Sequence, residues 1–75
     1  MAKYIAMDEG HKVRCRQELL ELEGRQESLL IFLSSEAVEK IDPEDKSLLL
    51  QQSFAMGQYA KLLRTRLHRH GVTDV

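Results

Sequence analysis

The chain has no Trp, one Cys, one Pro and only 5% aromatic residues. A single thiol, Cys15, excludes an internal disulfide and fits a reducing compartment. The longest unbroken apolar run, Leu29 to Leu33, is far short of the roughly 20 residues needed to cross a bilayer. Residues 1–7 are too short and too mixed for a signal peptide. A soluble protein of the cytoplasm, without membrane contact, is the expectation. Missing too is any acidic residue between Asp45 and Asp74, although the whole chain holds 12 acids against 11 Lys and Arg.

What is present is helical. From about residue 9 to 34, Cys15, Leu19, Leu22, Leu29 and Leu33 recur in steps of three and four or their sum, with Gln26 in the remaining slot. Asp8 is placed to cap this helix, and Glu18, Glu21, Glu23 and Glu27 give it an acidic outer surface. A turn follows over about 35–42, with Ala37, Val38 and Ile41 expected to close the core. Asp42-Pro43-Glu44-Asp45 is a strong helix start: a capping carboxylate, a Pro at the first helical position and two acids at the positive end of the dipole. The second helix, about 43–70, carries Leu49, Ser53, Met56, Ala60, Leu63 and Leu67 on one seam, flanked by Leu48, Gln52, Ala55, Tyr59 and Leu62. Residues 1–8 read as an arm and 71–75 as a frayed tail.

The predicted fold class is all-α: one domain, an antiparallel two-helix hairpin assembling into a homo-oligomeric helical bundle. Self-association is expected because 43% of the chain is apolar, more than two helices hide on each other, and a chain of 75 residues is marginal alone. Folding the hairpin places Gly24 opposite Phe54 and Gly57 near Glu21 and Leu22. It also gathers Lys3, His11, Lys12, Arg14, Arg16, Lys61, Arg64, Arg66, His68, Arg69 and His70 at one pole, against Glu36, Glu39, Asp42, Glu44 and Asp45 at the other.

A basic pole has two readings: an anion or phosphate site, or a solvated surface complementing the helix end. His11 and Cys15, one turn apart, with His68 and His70, resemble a metal-ligand set. No fixed Cys-His motif accompanies them and Cys15 belongs to the apolar seam, so a buried structural thiol is the better reading and no cofactor is expected. Gln26 and Gln52 suit interhelical hydrogen bonds that fix register. Nothing resembles a phosphate loop, a nucleophile with its base, or an isolated carboxylate pair, so an enzyme is not expected.

Leu48-Leu49, Gln52, Met56, Tyr59, Leu62-Leu63, Arg66 and Leu67, with Glu21-Leu22, Arg25, Leu29 and Phe32-Leu33 before them, resemble small bacteriophage helical-hairpin proteins of unknown function. The resemblance covers roughly residues 14–67. Their wider superfamily includes phage anti-CBASS sponges, oligomers that bind cyclic dinucleotides and deny them to host immune effectors. What it implies here is a non-catalytic, oligomeric, ligand-sequestering protein of an infected bacterium's cytoplasm. Its partner would be a cyclic dinucleotide or trinucleotide. The residues expected to bind are Arg14 and Arg66 on phosphates, helped by Lys12 or Arg69, with Tyr4 or Tyr59 against a base. Two other classes compete: an adaptor or inhibitor that binds a host protein through a helical surface, and a small nucleic-acid-binding regulator.

Overall fold

The computed structural model describes residues 7–75. Helix α1 spans Glu9–Leu33, a short 3₁₀ segment spans Glu36–Lys40, and helix α2 spans Pro43–Arg69. Among the described residues there is no strand. The helices pack antiparallel, as cross-helix bonds in opposite chain order show: Cys15 with Leu63, Glu18 with Tyr59 and Gln26 with Ser53. The hairpin is elongated, 56 × 25 × 16 Å.

Both helix starts are built from the capping side chains that the chain order supplies. Asp8 accepts a hydrogen bond from the His11 N–H at 2.7 Å, and Asp42 accepts one from the Glu44 N–H at 2.8 Å. α2 ends where Gly71 takes φ +88°, a left-handed conformation that favours glycine. Its N–H bonds to the His68 carbonyl at 3.2 Å, and the Val72 N–H returns to the Leu67 carbonyl at 3.0 Å. This closing loop satisfies the Leu67 and His68 carbonyls and turns the chain back on itself.

Residues 71–75 are therefore not frayed. Val72 and Val75 pack against the core, and Arg16 donates to both Asp74 carboxylate oxygens at 3.0 and 2.6 Å. Those bonds hold the Asp74 carboxyl below its ordinary value of 3.8. A lowered carboxyl pKa contributes stability above the ordinary value that is lost as pH falls through the folded one. Acidifying from pH 6 through that lowered value is thus expected to release the tail, read as faster amide exchange at residues 72–75. Arg16→Ala should show the same release already at pH 6.

The core is a single seam of Cys15, Leu19, Leu22, Ala60, Leu63 and Leu67, with Leu19, Leu63 and Leu67 fully buried. It lies in the half of the hairpin away from the turn. Toward the turn, Leu29, Leu33, Leu49 and Ile41 are only half-buried, Ala37 is exposed, and Val38 alone plugs the end. Among the described residues nine large apolar side chains remain exposed, including Val13, Leu20, Ile31, Leu48, Phe54 and Leu62.

Two expected glycine contacts differ. A Cβ added at Gly24 would meet nothing within 4 Å, and Phe54 is 69% exposed, so the two share a level but point to different sides. Gly57 is the crowded position: a Cβ there would lie 3.0 Å from Gln26 Nε2. The small residue leaves room for Gln26 to cross and donate to the Ser53 carbonyl at 3.3 Å. Gln26 thus makes the interhelical bond expected of it, whereas Gln52 is exposed.

Candidate functional site

The basic pole forms where the start of α1 meets the end of α2, and carboxylates neutralise part of it. Lys12 lies 3.2 Å from Glu9, Arg16 holds Asp74, and Arg64 bonds to Glu23. The Asp8 carboxyl is also there, held below its ordinary range chiefly by the His11 N–H, with lesser contributions from the His11 and Arg14 charges. Arg14, Arg66 and Arg69 have no acidic partner within 4.0 Å among the described residues.

The hairpin has two long sides flanking the seam, and the expected site residues divide between them. On one side Tyr59 donates its hydroxyl hydrogen bond to Glu18. Arg14 precedes Glu18 by one helical turn and Arg66 follows Tyr59 by two, so all four follow the same side. Arg66 is close enough for its charge to act on the Tyr59 phenol. On the other side lie Glu23 and Arg64, with Lys12 three turns before Glu23. Lys12 is therefore not brought together with Arg14 and Arg66. Arg69 is exposed at the end of α2, and Tyr4 lies outside the described residues.

The Tyr59 side continues toward the turn as an open groove of about 530 Å³, lined by Glu21, Gly24, Arg25, Ser28, Leu29, Gln52 and Met56. Its size falls within the range of small-ligand sites. Half-buried Leu29 and Met56 supply apolar surface, and Arg25, Ser28 and Gln52 supply exposed polar groups. Arg25 is only loosely engaged, 3.9 Å from Glu21. Neither Arg25 nor Ser28 is among the residues expected from sequence. Their signal is the polar row Arg14, Glu18, Glu21, Arg25 and Ser28, in steps of four and three beside the apolar seam of α1.

Three of the four side chains that resembled a metal set are otherwise engaged. Cys15 is 5% exposed and its Sγ donates toward the Leu63 carbonyl at 3.9 Å, His11 faces Asp8, and His68 Nε2 lies 2.8 Å from the Val75 main-chain oxygen. Among the described residues no three His, Cys, Asp or Glu side chains converge to hold a metal ion. No described helix is long and apolar enough to cross a membrane.

Tyr59 supplies a spectroscopic handle on this side. Its phenol is raised above the ordinary value of 10.0, first by the hydrogen bond to Glu18. Because the folded value is raised, the pair contributes stability below pH 10 and loses it as pH rises through the folded value. In a Tyr4→Phe background, the phenolate absorbance of Tyr59 is expected to titrate above pH 10, and Glu18→Gln should bring the midpoint down.

Among the described residues the chain is thus a small all-α hairpin with an open, largely apolar groove on the same long side as Arg14 and Arg66. Residues 9–69 match the family model described as Sequestin, and the chain belongs to the Sequestin family. The family's name denotes sequestration, which accords with a binding role. No curated protein and no solved structure matches the chain.

Proposed function

We propose that this protein is a non-catalytic phage anti-defence protein that sequesters a cyclic oligonucleotide signal, a cyclic di- or trinucleotide, in pockets between protomers of a homo-oligomer. The family name supports sequestration, and the resemblance to phage sponges suggests the ligand class. The observation that carries the reading is the Tyr59 side of the hairpin. There Arg14 and Arg66, without acidic partners among the described residues, share one long side with a groove of about 530 Å³ that lies nearer the turn and is lined by Arg25, Ser28 and Gln52.

The chemistry suits such a ligand. Each guanidinium fork matches phosphate oxygens bidentately, and a Tyr ring or an Arg plane stacks on a base without regard to sequence. Arg14 and Arg66 would take phosphates, Tyr59 a base, and Arg25 with Gln52 the polar edges further along. Lys12, on the other side of its own hairpin, would reach the same ligand only from a neighbouring protomer. Such a protein would act in the host bacterial cytoplasm.

Isothermal titration of the purified chain against a panel of cyclic di- and trinucleotides tests the reading. Saturable heat with one member at a fixed stoichiometry supports it, and no heat with any member rejects it.

The second reading, an oligomeric adaptor or inhibitor of a host protein, draws on the exposed Val13, Leu20 and Ile31 on the far side of α1. A stoichiometric host protein retained on the immobilised chain, and lost with Leu20→Glu, would favour it. A nucleic-acid regulator gains less, because Glu9, Glu23 and Asp74 neutralise cations that would contact a phosphate backbone.

A further inference from the structure

The outer surface of α2 carries a pattern distinct from its buried seam. Asp45, Leu48, Gln52, Ala55, Tyr59, Leu62, Arg66 and Arg69 follow one another in alternating steps of three and four, and every one of them is exposed. Such a row faces a single partner helix. It lies about a third of a turn around α2 from the core seam of Ala60, Leu63 and Leu67, at 100° per residue.

The row is self-complementary when reversed. Laid antiparallel on a second α2 about an axis level with Gly57, Asp45 meets Arg69, Leu48 meets the stem of Arg66, Gln52 meets Leu62, and Ala55 meets Tyr59. Every residue of the row has its partner in that one register. A slip of one heptad leaves both charged ends unmatched. The acid at the start and the cations at the end are about 36 Å apart within one helix, from the rise of 1.5 Å per residue, so they cannot pair in the same chain.

We propose that this face of α2 is the contact between two copies of the chain, packed antiparallel about a two-fold axis level with Gly57. The occupant is a second copy because the opposed charges at the two ends of the row match that same row inverted, while Ala55 meets Tyr59 and Leu48 meets the Arg66 stem between them, as an isologous interface demands. Leu48 and Leu62, 56% and 62% exposed in the single hairpin, are covered in the pair. The contact has a consequence for the proposed ligand site, on whose reading it does not depend. Gln52 stands both in the row and on the groove, and Tyr59 and Arg66 stand in the row as well, so the ligand would meet those two side chains at the edge of the contact, with the partner's Leu62 at the groove's rim. Arg69, engaged by the partner's Asp45, leaves the phosphate-binding set.

Charge reversal in the full chain tests the register, with mass read by analytical ultracentrifugation over a concentration series. Asp45→Arg and Arg69→Asp should each weaken association roughly tenfold, since two pairs per dimer turn from attraction to repulsion. The double variant should recover most of the loss. Both substitutions are unfavourable at their helix ends, so rescue cannot arise from the dipole within one chain. Leu62→Glu should give the mass of one hairpin with helicity retained in circular dichroism, because Leu62 is outside the core. A wild-type chain that stays a single hairpin at 100 µM overturns the proposal and frees the face for another partner. So does an oligomer indifferent to Leu62→Glu, or single reversals that the double does not rescue. Calorimetric heat with a nucleotide is scored separately, so loss of one result leaves the other standing.

Discussion

Leu63→Ala is expected to destabilise the fold by about 3 to 5 kcal/mol, the cost of removing a fully buried Leu where the surroundings relax only in part. Leu63 has no solvent exposure, and it sits in the same small seam as Leu19 and Leu67. A chain of this length has roughly 4 to 11 kcal/mol of total stability, from about 0.05 to 0.15 kcal/mol per residue. One core truncation therefore removes a large share of it. The loss also touches Cys15, whose Sγ lies 3.9 Å from the Leu63 carbonyl and whose side chain shares the seam. Urea unfolding followed by circular dichroism should show the midpoint collapse. Leu62→Ala is the control one residue away: at 62% exposure it should leave the stability of an isolated hairpin within about 0.5 kcal/mol.

The second large effect concerns binding. Replacing Arg14 and Arg66 together by Ala should reduce affinity for the cyclic nucleotide identified by calorimetry by about a hundredfold or more. Each charge-assisted contact contributes about 1.5 to 3 kcal/mol, and tenfold in affinity corresponds to about 1.4 kcal/mol. Fold stability should change little, because both side chains are exposed and neither holds an acidic partner among the described residues. Arg64→Ala is the informative comparison. It removes an equal charge from the opposite side and breaks the bond to Glu23. Its cost should therefore fall on stability, with affinity nearly unchanged.

The helices are legible in the sequence because local chemistry marks them. Asp42-Pro43-Glu44-Asp45 supplies cap, first-turn geometry and dipole complement in four residues, and α2 begins at Pro43. The core seam is legible for a related reason: steps of three and four put Leu19, Leu22, Leu63 and Leu67 on facing surfaces. The tail is not, since its docking depends on a reversal at Gly71 and on Arg16, which lies 58 residues before Asp74. Val72, Asp74 and Val75 look like any short polar-apolar end until that reversal is known.

The same distinction governs the candidate site. Cations at the pole can be counted from the sequence, but their partners cannot. Glu23 is in the middle of α1, yet the long Arg64 side chain reaches it. Facing Gly24 with Phe54 failed because a hairpin register gives the level along the axis but not the rotation of each helix. Rotation also separates Lys12 from Arg14 and Arg66. Once the Tyr59 bond to Glu18 establishes which side faces which, Arg14 falls on the same side as the groove residues Glu21, Arg25 and Ser28.

Sequestration means that the ligand is held and returned unchanged, which one measurement reads directly. The purified protein is mixed with a substoichiometric amount of the cyclic nucleotide that gives calorimetric heat. The mixture is passed through a size-exclusion filter, and the retained protein is heat-denatured before the nucleotide is analysed by mass spectrometry. The account predicts that the filtrate is depleted and that intact cyclic nucleotide is released on denaturation, whereas the Arg14→Ala, Arg66→Ala double variant leaves it in the filtrate. Linearised or hydrolysed product, or a filtrate that wild-type protein does not deplete, would contradict it.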